Sequence, residues 1–196
     1  MLMDTNLKEE FDYILDTLVK SGFYGKEDIL EILEDQFFDE DMDFANVEIP
    51  HSNASNSNFF ILEENFIELT KKDIIAIHNC GYDIEEGVND AFELAIHLKN
   101  NGENPRGFCF YTFEDIEEAI SESRLSLTFG DFEGSREKSL EIGKIIKETL
   151  SFDIIWNETA DEPIIIDSFI WDKSFDNNKE FEMEGAYDCY ITTHKV

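Results

Sequence analysis

A chain of 196 residues, 42% hydrophobic and 13% aromatic, can build a sizeable core, which excludes global disorder. Its 46 acidic residues stand against 15 Lys+Arg, a formal charge of −31. That balance argues against spontaneous binding to DNA, RNA or an anionic membrane, because a phosphate binder needs a basic footprint; it fits either a solvated acidic surface or steering toward a basic partner.

Residues 1–50 read as an N-terminal helical arm with an acidic segment. Phe11, Ile14, Leu15 and Leu18 recur at helical spacing and predict a helix over 5–20, stopped at Ser21-Gly22. Ile29, Leu30, Leu33 and Phe37 predict a second helix over 26–37, with Glu27 and Asp28 in its first turn. The densest acid cluster follows: Asp39, Glu40, Asp41 and Asp43, with Phe38, Met42 and Phe44 beside and among them. An EF-hand would need Gly at the sixth position and Glu at the twelfth; counted from Asp39, Phe44 and Pro50 stand there, so calcium is not expected. A polar stretch over 51–58 reads as a linker.

Residues 59–196 read as an α/β domain with an α+β tendency: a mixed β-sheet with packed helices. A helix is predicted over 59–69, then a strand at 74–77 ending in His78-Asn79-Cys80-Gly81-Tyr82. Asp83 and Glu86 form a capping signal for a helix over 84–99, whose apolar face is read as Ile84, Val88, Ala91, Phe92, Ala95 and Leu98. Phe108 to Tyr111 is apolar at every position and reads as an interior strand. Thr112 caps a short helix, and Leu125 to Phe129 alternates as a strand. Ser135 opens a helix to about 150. Strands are predicted at 154–156 and 163–171, a loop over 172–184, and a last strand at 187–192.

Strand ends are where sites gather in alternating α/β sheets. His78, Tyr111 and Asp115, with Asp131 past the third strand, are therefore the candidates for general acid–base work, since His titrates near neutral pH. Cys80 is a weaker nucleophile candidate, because the surrounding negative charge raises a thiol pKa. Three cysteines, Cys80, Cys109 and Cys189, without a CxxC predict neither a disulfide framework nor a zinc site. His78 with Asp83, Asp90 or Asp115 lacks a metal-binding spacing, and no metal or cofactor is expected. The start of the chain does not read as a secretory leader and no apolar run has the length of a membrane span, so a cytoplasmic protein is expected.

The segments Ile75-Ala76-Ile77-His78-Asn79-Cys80-Gly81-Tyr82 and Gly107-Phe108-Cys109-Phe110-Tyr111, with Asp115 and Ala119, resemble a family of bacterial proteins known only as a domain of unknown function. The likeness continues through Leu127-Thr128-Phe129-Gly130, Trp156-Asn157, Phe169 and Trp171, covering roughly residues 60 to 173. In that family a His often follows the Tyr of the second strand; here Thr112 stands there. The resemblance implies a cytosolic bacterial α/β protein and supplies no activity.

The leading expectation is an acidic cytosolic binding protein of the immunity or inhibitor kind, covering a basic toxin or another basic protein. Asp39, Glu40, Asp41, Asp43, Phe38 and Phe44 are its candidate contact residues, because aromatic side chains ringed by carboxylates suit a basic surface. The alternatives are a small hydrolase or transferase using His78, Tyr111 and Asp115, and a module with no catalytic site.

Overall fold

The computed structural model describes residues 5–40, 44–50 and 54–195; Asp41, Met42 and Asp43 of the acid cluster lie outside them. The chain forms two compact units, Met1–Asn56 with Asp172–Asn178, and Ser57–Trp171 with Lys179–Val196.

The first unit is built on α1 (Thr5–Ser21) and α2 (Lys26–Gln36). Phe11 and Leu18 of α1 and Ile29 and Leu33 of α2 are buried. The Phe11 ring meets Phe37 at 5.5 Å and Phe44 at 6.3 Å between centroids. Gly22 turns the chain after α1 with φ +71, where a Cβ would meet the Lys173 carbonyl at 2.5 Å. Residues 172–178, read above as plain loop, tie this unit together. Lys173 is buried, donates from Nζ to the Gly22 carbonyl, and lies 4.3 Å from the centre of the Phe23 ring. Asn56, at φ +59, donates from its backbone to the Asp172 carbonyl at 2.8 Å and accepts from the Ser174 backbone N–H at 2.7 Å.

The second unit is an α/β structure around a five-stranded mixed sheet of order β1-β2-β3-β5-β4. Its strands are β1 (Ile74–Ile77), β2 (Gly107–Phe110), β3 (Leu125–Asp131), β4 (Ile154–Ile155) and β5 (Ile164–Ile166). Among the described residues only β1 and β2 run parallel, joined through helix α4 (Ile84–Asn100). Ile75 and Ile77 pair in register with Phe108 and Phe110, and these four share one sheet face. That face is covered by Ala91, Leu94, Ala95 and Leu98 of α4 and by Ala186 and Tyr190 of α7 (Met183–His194). Helix α3 (Ser57–Thr70) packs on β1 at the sheet edge, α5 (Phe113–Glu122) on β3, and α6 (Arg136–Thr149) on β2 and β3.

Four expectations change. The run 187–192 is helical, not a strand. Tyr187, Cys189 and Ile191 alternate over so short a span that both periods fit, but Met183, Ala186, Tyr187, Tyr190 and Ile191 make one helical face on the core. The buried stripe of α4 is Gly87, Ala91, Leu94, Ala95 and Leu98, while Ile84 and Phe92 are exposed. The stripe rotates because Gly87 admits the Phe110 ring, which a Cβ there would meet at 2.5 Å. The strand read over 163–171 stops at Ile166, since Ser168 adopts φ +55 and breaks the extended backbone. Finally, β3 is antiparallel to β2, with Gly107 opposite Asp131, so Asp131 stands at the other end of the sheet from His78 and Tyr111.

Candidate functional site

The parallel pairing of β1 and β2 carries His78 and Tyr111 side by side, one residue past each strand. His78 Nδ1 and the Tyr111 hydroxyl share a hydrogen bond of 2.8 Å. Both residues are buried. Phe66 of α3 stacks on the imidazole at 4.4 Å and 24°, Phe59 approaches at 5.2 Å, and Phe181 meets it edge-on at 5.8 Å. Trp171 meets the Tyr111 ring at 5.8 Å. Burial, and after it the carboxylates of Glu182, Glu63 and Asp115, push the Tyr111 phenol well above its ordinary value. Tyr111 is therefore neutral across the physiological range.

The two loops beyond these strands are knitted by backbone bonds. Cys80 N–H donates to the Tyr111 carbonyl at 2.8 Å, Phe113 N–H to Gly81 at 3.1 Å, and Glu114 N–H to Tyr82 at 3.1 Å. Asn79 sits at φ +49 and donates from Nδ2 to Glu182 at 2.5 Å. The Cys80 thiol donates to the Gly87 carbonyl at 3.4 Å; burial first, then Asp90 and Glu182, push it far up, so it is a protonated structural group and a poor nucleophile.

Asp115 is brought near but spent on the helix end. Its carboxylate accepts from the Thr112 N–H at 2.8 Å and the Thr112 hydroxyl at 2.9 Å, completing a capping box at the start of α5. Asp131 likewise serves a turn: it accepts from the N–H groups of Glu133 and Ser135 and from the Ser139 hydroxyl at 2.8–3.0 Å.

His78 also lines a cavity of about 250 Å³, walled mainly by Phe66, Ile67, Ala186 and Phe181, with Glu63, Lys179 and Glu180 as its charged residues. Glu63 pairs with Lys179, and the ammonium also lies 5.1 Å from the Phe181 ring centre. Neither Tyr111 nor Asp115 lines this space. Sequence reasoning missed this wall: Glu63 and Lys179 are far apart in the chain, and reading α7 as a strand hid the surface that closes the cavity. Among the described residues, no group of three His, Cys, Asp or Glu side chains could hold a metal ion.

The contact residues proposed on the N-terminal unit separate. Phe38 is 82% exposed just past α2, and Asp39 and Glu40 are exposed beside it. Phe44 is partly buried against Phe11. Asp41 and Asp43 lie outside the described residues. Among the described residues, no helix is long and apolar enough to cross a membrane.

A mixed-sheet α/β unit whose two parallel strands end in loops joined by backbone hydrogen bonds defines the class. The chain belongs to the family described as Domain of unknown function (DUF6891), which it matches over residues 4–175, helices α1 and α2 included. No curated protein and no solved structure matches it.

Proposed function

We propose that the protein is an acidic binding protein, of the immunity or inhibitor kind, that covers a basic surface on a protein partner such as a toxin. The observation that carries this reading is Phe38. A large apolar ring at 82% exposure, just past α2 and followed by exposed Asp39 and Glu40, is what a contact residue for a basic surface looks like before its partner arrives. The adjoining helix adds exposed Glu27, Asp28, Glu31, Glu34 and Asp35 against Lys26 alone. The charge of −31 supplies long-range steering toward a cationic partner.

The test is capture of partners from the native cell extract at low and moderate salt, with wild type beside Phe38→Ala. A basic protein retained by wild type, lost at moderate salt and lost from the variant supports the reading. Retention of nothing that is sensitive to salt and to Phe38 counts against it.

A second reading, a small hydrolase or transferase, draws support from one feature: His78 bonds Tyr111 and lines a cavity. Weighing against it, Tyr111 is sealed and held neutral, and Asp115 is engaged by Thr112.

A further inference from the structure

We propose that the cavity over His78 is a binding site for a small amphiphilic amine, whose apolar body fills the aromatic interior and whose ammonium takes the place on Glu63 now held by Lys179. This inference is independent of the protein-partner reading, since it concerns different residues in the other unit.

The cavity, at about 250 Å³, opens to solvent and is lined on its apolar side by Phe66, Ile67, Ala186 and Phe181 with the His78 ring. That lining suits a compact hydrocarbon or aromatic body, and its size lies just below the range of ordinary small-ligand pockets. Its charge is sharply placed. The Glu63 side chain is only 15% exposed, while that of its partner Lys179 is 47% exposed. A largely covered carboxylate is thus neutralised by a half-exposed lysine on a polar stretch of chain.

Lys179 already makes both contacts that an ammonium ligand would make: a charge-assisted pair with Glu63 and a cation–π approach to Phe181. The exposed Glu180 carboxylate also lines the cavity. Together with the field of the whole chain, it opposes an anion and concentrates a cation. The Lys179 side chain is 47% exposed and its stem carries much rotamer freedom, so its ammonium can return to water when a ligand's ammonium takes its place on Glu63. The apolar interior then gives an amphiphilic amine what Lys179 does not exploit: burial of its body.

The test is calorimetric titration of the full chain with 2-phenylethylamine, phenylacetate and methylammonium, at low salt. Nuclear magnetic resonance of the His78 ring reports occupancy of the cavity itself. The expected result is saturable binding of 2-phenylethylamine with a shift of the His78 signals, and neither response from phenylacetate or methylammonium. Lys179→Ala, by removing the competitor, should tighten binding about fivefold, and Glu63→Gln should weaken it about tenfold. Thermal melting of both variants guards against misfolding, and Lys179→Ala carries the decision if Glu63→Gln unfolds. Binding of phenylacetate as strong as that of the amine, no shift at His78, or an unchanged affinity in Lys179→Ala would each overturn the proposal.

Discussion

The Tyr111 hydroxyl and His78 Nδ1 lie 2.8 Å apart in a buried pair held between the ends of the two parallel strands. Tyr111→Phe removes one partner and leaves an imidazole nitrogen buried among Phe66, Phe59 and Phe181. A loss of about 1–3 kcal/mol is expected, read as a lower urea midpoint at unchanged slope.

Alkaline pH should weaken the fold by a calculable sign. Burial pushes Tyr111, Cys80 and Cys109 above their ordinary values, so each holds its proton longer folded than unfolded. Their contribution is whole below the unfolded values and is lost as pH climbs through them toward the folded ones. The denaturation midpoint should therefore fall as pH rises above about 9, the ordinary thiol value. A Cys80→Ala, Cys109→Ala double variant should show a shallower fall.

Asp131 offers a test of its structural role. It accepts from two backbone N–H groups and from Ser139 at the turn into α6. Asp131→Ala should cost about 2 kcal/mol, as loss of a buried cap does, measured by chemical denaturation.

Gly22 stands at φ +71 against the Lys173 carbonyl. Gly22→Ala meets both a left-handed backbone and a backbone clash. It should cost more than the 1–2 kcal/mol or so of the conformation alone, seen as a lower melting temperature and faster proteolysis near 172–178.

Much of this was legible in the residues. Six helices follow from 3.6-residue spacing with caps at Asp83, Thr112 and Ser135, each of which accepts the expected N–H. His78 and Tyr111 are legible only as residues just past two strands; that they bond each other rests on the parallel pairing of β1 with β2. The direction of β3 is another matter: Leu125, Leu127 and Phe129 alternate identically in a parallel or an antiparallel strand. Only pairing such as Phe108 with Gly130 decides it, and that moved Asp131 to the far end. Helix α7 is not legible because β-branched and aromatic residues at 187–192 fit a strand locally, and tertiary packing on α4 and β1 overrides that preference. Asp115 illustrates a third limit. The same carboxylate that suits acid–base chemistry also suits a capping box, and spacing to Thr112 favours the box.

Affinity measured against salt probes the proposed acidic contact surface directly. The Kd of any basic protein captured as proposed should be measured, once purified, for wild type and for a Phe38→Ala, Asp39→Ala, Glu40→Ala variant at 50 mM and 200 mM salt. Wild-type binding that weakens steeply with salt, with the variant at least about tenfold weaker yet within about 0.5 kcal/mol of wild type in stability per substitution, is the predicted result. Affinity indifferent to salt and to all three substitutions would contradict it.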